Sequence, residues 1–94
     1  MEIQHTIHDS KGRFFIAENG KLLAEMTYET KPPNVILITH TEVDETLEGK
    51  GIGHKFVALA VQLARDSHLE LQSICTFAKS ILDKSKDYHD VYKP

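Results

Sequence analysis

Residues 35–56 read VILITHTEVDETLEGKGIGHKF, and they join three kinds of segment without a break. The first nine are apolar and rich in β-branched side chains, the composition of a strand inside a sheet. The next eight, DETLEGKG, are polar and carry the first two members of a glycine series at 49, 51 and 53. From Ile52 a helical period begins and runs to about Ser67. Ile52, Phe56, Leu59 and Leu63 recur at spacings of four, three and four, against Lys55, Gln62, Arg65 and Asp66 on the other side. A strand feeding a glycine loop feeding an amphipathic helix is half of a β-α-β unit. The other half is LELQSIC at 69–75, which the crossover rule places parallel to 35–43.

Upstream of this unit the pattern changes to short strands joined by turns. IQHTIH (3–8) alternates weakly and reads as an edge strand, DSKGR turns, and FFIA (14–17) is a second strand. Asn19-Gly20 marks a two-residue hairpin, since both central positions of a type I′ turn need positive φ. The return strand, 22–29, sets Ala24, Met26 and Tyr28 on one face and Glu25, Thr27 and Glu29 on the other. Two prolines at 32 and 33 end it. We expect 35–43 to be a central strand buried on both faces at its start, with His40 on the face of Ile36 and Ile38. Downstream of 75, FAKSILDKS (77–85) is a short helix turning Phe77, Ala78, Ile81 and Leu82 inward. A tail with two tyrosines follows, and the charged groups of LDKSKDYHD read as a solvated face. The fold class is α+β, a mixed and mainly antiparallel sheet with a βαβ crossover, in a single domain spanning 1–94.

Composition excludes several function classes. Net charge is −3 and no Lys/Arg cluster exceeds a pair, which argues against nucleic acid, whose phosphates require a basic stripe. No stretch approaches the ~18 apolar residues of a membrane span, and the N-terminus lacks an apolar signal core. One cysteine forms no internal disulfide, so a cytoplasmic setting is expected. His5, His8, His54, His68 and His89 lack ligand spacing, and we expect surface residues and no metal site.

The glycine loop has a chemical reading of its own. The first turn of a helix carries free N–H groups and the positive end of the helix dipole. Phosphate is the usual ligand of that arrangement, and glycines at 49, 51 and 53 let successive N–H groups converge; a side chain at Gly51 or Gly53 is expected to push the anion out. The bland alternative is a turn that lets the helix pack closely. G-x-G-x-x-G and G-x-x-x-x-G-K-[ST] are both absent.

LEGKGIGHKFV, set between an HTEV strand and a strand ending in Cys, resembles the GNAT superfamily of acetyl-CoA-dependent N-acetyltransferases. The superfamily's Gln/Arg-x-x-Gly-x-Gly/Ala motif maps to Glu48, Gly49, Lys50, Gly51, Ile52 and Gly53. The resemblance covers about residues 14–92 and is closest to the small GNAT-like group of roughly this length. It implies a CoA pyrophosphate on the amides of Gly49, Lys50, Gly51, Ile52, Gly53 and His54. It also implies a pantetheine arm beside the strand ends at Glu42–Val43 and Ser73–Cys75, with Phe77 either anchoring its helix or lining that channel. Glu48 stands where the motif has Gln or Arg. At ~6 Å and an effective dielectric of ~20, its repulsion of a diphosphate is a few kcal/mol, so Glu48 is expected to point to solvent while Lys50 and Lys55 offset it.

The implied activity is transfer of acetyl from acetyl-CoA to an amine; the alternative is an acyl-CoA-binding module with little turnover. Candidate catalytic groups are Cys75, His40 and Glu42. Cys75 reads as a nucleophile, a thioester-proximal acid or a small buried hydrophobe. His40 reads as a general base or a core-edge histidine, and Glu42 as a proton acceptor or a solvated carboxylate. Tyr88 and Tyr92 read as acids for the leaving thiolate or, by preference, as packing for the tail. The expected partners are CoA and an amine, with the chain a monomer or weak dimer.

Overall fold

The computed structural model describes residues 2–94. Five strands and two helices appear in the expected order: β1 Gln4–His8, β2 Lys11–Glu18, β3 Lys21–Lys31, β4 Val35–Val43, α1 Ile52–Ser67, β5 Glu70–Ser73 and α2 Thr76–Lys84. The sheet order is β1-β2-β3-β4-β5. The first four strands form an antiparallel meander, and β5 pairs parallel to β4. Asn19 and Gly20 both take positive φ, 52° and 78°, as the hairpin requires. The β1–β2 turn is tighter than the sequence suggested: β2 begins at Lys11, and only Asp9 and Ser10 turn.

Both helices cover one face of the sheet. Phe14, Ile16, Met26, Tyr28, Ile36, Ile38 and Leu71 meet Phe56, Val57, Ala60 and Val61 of α1 and Ala78 and Leu82 of α2 in one buried cluster. The inward stripe of α1 is rotated from the expected one. Val57, Ala60, Val61 and Ala64 are buried, whereas Leu59 is exposed and Leu63 only partly covered. Small alanines let the helix approach the sheet closely, so the larger leucine is displaced to the rim. Phe77 likewise does not face inward with Ala78, Ile81 and Leu82; it is 43% exposed.

The other sheet face carries no helix. There Arg13 pairs with Glu25 at 2.7 Å and lies 4.0 Å over the Phe15 ring, shielding it from water. Strand β4 is therefore buried on one face only: Ile36 and Ile38 are covered, while Val35 and Leu37 are half-buried. His5 is exposed, as expected, and also contacts the core. It stacks on Phe14 with centroids 4.3 Å apart, and its Nε2 is 2.6 Å from the Tyr28 hydroxyl.

The tail is structured. Leu71 N–H donates to Val91 C=O at 2.8 Å and Lys93 N–H to Leu71 C=O at 3.0 Å, extending the sheet beyond β5. Tyr92 is buried and donates its hydroxyl to Asp83 at 2.6 Å. Arg65 grips both oxygens of Asp90, at 2.8 and 2.9 Å. Asp83 and Asp90 stay on the solvated face the sequence suggested, but each is tied to a partner there. Their hydrogen bonds, from Tyr92 and Arg65 respectively, hold both carboxyls below the usual aspartate range.

Candidate functional site

The site is built where β4 and β5 part company. Their parallel ladder runs from Val35↔Glu70 to Ile38↔Ser73 and ends with Ile74 N–H on Ile38 C=O at 3.0 Å. Strand β4 continues without β5 for five residues, Thr39 to Val43. At this point its pairing with β3 slips by one: Tyr28 opposes Ile38, but Thr27 opposes His40. Thr39 is the extra residue of a β-bulge, which inverts the alternation of everything after it.

The inversion decides which side chains reach the site. Thr41 opposes buried Met26 and Val43 opposes buried Ala24, so both lie on the helix-covered face. His40 opposes Thr27 and Glu42 opposes Glu25, which places both on the open face. His40 therefore does not share the face of Ile36 and Ile38. The imidazole and Glu42 are exposed and 3.5 Å apart, Nε2 to Oε2. The bulge cannot be read from the strand's composition, because every residue of 35–43 fits a pleated strand in either register.

Backbone direction follows the same phase. Asp44 N–H donates to Leu23 C=O at 2.8 Å. In an antiparallel ladder, alternate residues aim their polar groups at the same neighbour. Glu42 and His40 accordingly direct theirs at β3, whereas Thr41 and Val43 direct theirs into the gap left by β5.

The loop after β4 is held by its own capping. Asp44 accepts from the Thr46 N–H at 2.9 Å and the Thr46 hydroxyl at 2.8 Å, starting a 3-10 turn at Glu45–Leu47. These bonds keep the Asp44 carboxyl below its ordinary range. Gly49 and Gly51 then take φ of 79° and 72°, and Gly51 is the N-cap of α1. A Cβ at Gly51 meets nothing within 4 Å, so glycine is required there by conformation, not space. Gly53 is the reverse: a Cβ there would lie 2.3 Å from the Phe77 ring, and that close approach seats the ring over the helix start.

Lys55 N–H makes the first helical bond, to Gly51 C=O at 3.0 Å. The N–H groups of Gly51, Ile52, Gly53 and His54 have no acceptor among the described residues, while that of Lys50 is turned back to Leu47 C=O at 3.4 Å. Four unsatisfied donors at the positive end of a 16-residue helix are the arrangement that anions commonly fill. They border a cavity of about 480 Å³ lined by Val43, Gly49, Gly51, Ile52, Gly53, His54 and Phe77, together with Thr41, Leu47 and Glu48. Lys50 does not line it. Glu48 is exposed, as its charge demands, but stands at the rim.

Cys75 is half-buried at the N-cap of α2 and 3.4 Å from Thr41, Sγ to Oγ1, beside this cavity. Thr41 and Leu47 are the lining residues that sequence reasoning missed. Thr41 becomes visible only once the bulge is known. Leu47 lies in a loop read as uniformly polar.

The segment that carries the opened strand pair, the glycine-capped helix and the intervening cavity matches a family model. Residues 13–91 fit the description GCN5-related N-acetyl-transferase. The chain belongs to the GNAT family. No curated protein matches it. Among solved structures, the GNAT chain is similar to a GCN5-like protein from Staphylococcus aureus. The identity is 38%, over 98% of this chain and 87% of that one, with a TM-score of 0.74. It also shares the fold of ribosomal-protein-alanine N-acetyltransferase from Brucella melitensis, at 13% identity over 82% of this chain and a TM-score of 0.67. Tetrahymena GCN5 is similar at 13% identity over 93% of this chain, with a TM-score of 0.63. This GNAT chain spans 64% and 62% of those two proteins' lengths.

No helix among the described residues is long and apolar enough to cross a membrane.

Proposed function

We propose that this GNAT chain transfers acetyl from acetyl-CoA to an amine. The observation that carries the reading is the set of four free N–H groups at Gly51–His54, opening onto the cavity that reaches Thr41, with Cys75 in contact behind it. The CoA diphosphate binds these donors, with the Lys50 and Lys55 side chains adding charge. The pantetheine arm runs along the free edge of β4 and exchanges strand-like hydrogen bonds with Thr41 and Val43. Phe77 closes the channel from the α2 side. The thioester then lies in the gap between β4 and Cys75.

The chemistry divides between the two sheet faces. The amine approaches from the open face, where His40 and Glu42 stand and where a depression of about 520 Å³ includes Thr27 and Thr39. Its nitrogen lone pair attacks the thioester carbon, and the C–S bond breaks as the C–N bond forms. The His40–Glu42 pair takes the proton lost by the amine, and the Cys75 thiol donates a proton to the departing CoA sulfur. The resulting Cys75 thiolate regains its proton from solvent.

Incubation with acetyl-CoA and a panel of amines, followed by assay of free CoA thiol, tests the reading. Amine-dependent release is expected, with Cys75→Ala slowing kcat by the ~10²-fold or more typical of a lost acid–base group while CoA affinity stays within about twofold. No release above background with any amine, or full activity in Cys75→Ala, contradicts it. The exposure of His40 and Glu42 on the opposite face favours one second reading, an acyl-CoA-binding module. Tight CoA binding without turnover is its signature.

A further inference from the structure

The two edges of the sheet are finished differently. At β5 the tail closes the ladder: Leu71 bridges to Tyr92, and Lys93 N–H donates to Leu71 C=O at 3.0 Å. At β1 nothing does. Strand β1 pairs with β2 along one side, in an unbroken register from Gln4↔Phe15 to His8↔Lys11. On its other side no backbone group of Gln4–His8 is bonded to any of the described residues. All five residues are exposed, Ile7 to 63%.

A bare strand edge recruits another strand, and proteins ordinarily blunt it with a lysine, a proline, a bulge or a covering element. The run Gln4-His5-Thr6-Ile7-His8 has no lysine and no proline, and its register carries no bulge. The helices pack chiefly over β3, β4 and β5, so they leave the space beside β1 clear. The run also lacks Asp, Glu and Arg, so a second copy of the same strand brings no like charges together. Antiparallel pairing about a two-fold axis through Thr6 engages all five residues. It sets Thr6 against Thr6, His5 against Ile7 and Gln4 against His8. Side-chain phase is kept: His5 and Ile7 stay on the helix side, and Gln4, Thr6 and His8 on the open face. Ile7 thereby covers the imidazole of His5 in the other copy, whose far side is already stacked on Phe14. The Gln4 amide faces the His8 ring, a pair able to hydrogen-bond.

We infer that two copies of this chain associate edge to edge through β1, joining two five-stranded sheets into one of ten strands. The contact is isologous and closes at two copies, because the far edge of each sheet is occupied by its own tail. Five paired residues make a small interface, so the dimer belongs to the weak, exchanging class. It stands independently of the CoA reading and bears on it at one place. Thr6 and His8 line the open-face depression of about 520 Å³. The second copy brings its own Thr6 and Gln4 to the outer side, merging two depressions into one trough across the axis.

Sedimentation equilibrium of the full chain tests the association, and cross-linking locates the axis. The weight-average mass is expected to rise from 10.7 kDa toward twice that as concentration passes about 100 µM. Ile7→Lys, at an exposed position, is expected to stay monomeric over the same range. Ile74→Lys, at an apolar site 67% exposed beyond β5, is expected to associate like the unmodified protein. In a Cys75→Ser background, Thr6→Cys is expected to join two copies through a short bis-maleimide, since the paired β-carbons lie ~5 Å apart. His8→Cys is not, since the two positions are offset by four residues, ~13 Å along the strand. A monomer at every concentration, association that survives Ile7→Lys, or linking at position 8 as efficient as at position 6 overturns the inference.

Discussion

Gly51 and Gly53 answer to different constraints although both belong to one motif. At Gly51 the constraint is the positive φ that swings the chain from the 3-10 turn into α1 and leaves the first N–H groups pointing outward. Gly51→Val meets no atom but forces a β-branched residue into left-handed backbone. We expect CoA dissociation to rise at least tenfold, about 1.4 kcal/mol, in a protein whose circular dichroism is unchanged; unaltered affinity contradicts the role of this terminus. At Gly53 the constraint is the Phe77 ring. The glycine spacing was legible in the sequence, and so was the unfilled hydrogen-bonding capacity of a helix start. The division of labour was not, because it depends on a phenylalanine far along the chain that folding brings against the loop.

Strand β4 and its bulge form the element on which the site turns. Its ends were legible from composition, Val35–Val43 as expected, and so was its parallel partner. The side-chain phase after Ile38 was not, since a one-residue slip leaves no trace in a run of β-branched residues; Thr39 shows itself only through the β3 register. Deleting Thr39 removes the bulge and lets His40 follow Ile38 in plain alternation, so Thr41 stays opposite Met26 and Val43 opposite Ala24 on the helix-covered face. We expect the deletion variant to keep CoA affinity within about threefold while α1 and α2 persist, measured by titration calorimetry alongside helical ellipticity. A loss of more than about tenfold means that the bulge itself shapes the channel. Helix α1 teaches a related lesson. Its bounds followed from periodicity, but its buried stripe followed from which side chains are small enough to touch the sheet, and Ala60 and Ala64 displaced Leu59.

Across the whole molecule the tail closes the structure that positions α2. Arg65 of α1 holds Asp90, and Tyr92 spans back to Asp83 on α2. Both carboxyls have folded-state pKa values below the ordinary 3.8. Their contribution is therefore complete above that value and is lost as pH falls through it toward the folded-state values, where the unfolded chain binds more protons. Thermal stability is expected to drop with acid below pH ~4, and the drop is expected to be shallower in Asp90→Asn, which is less stable at neutral pH. A melting temperature with the same acid dependence in both proteins contradicts the clamp. The meander, the crossover and the membership in the GNAT family were readable from the chain, since they rest on local periodicity and one dense motif. The clamp was not, since it joins polar residues far apart in sequence. The central claim, that the unsatisfied amides opening α1 hold the diphosphate of CoA, is tested most directly by following backbone amide resonances during CoA addition. The account predicts the largest saturable shifts at Gly51, Ile52, Gly53 and His54, with smaller ones at Thr41 and Val43. Saturation with those four amides unmoved contradicts it.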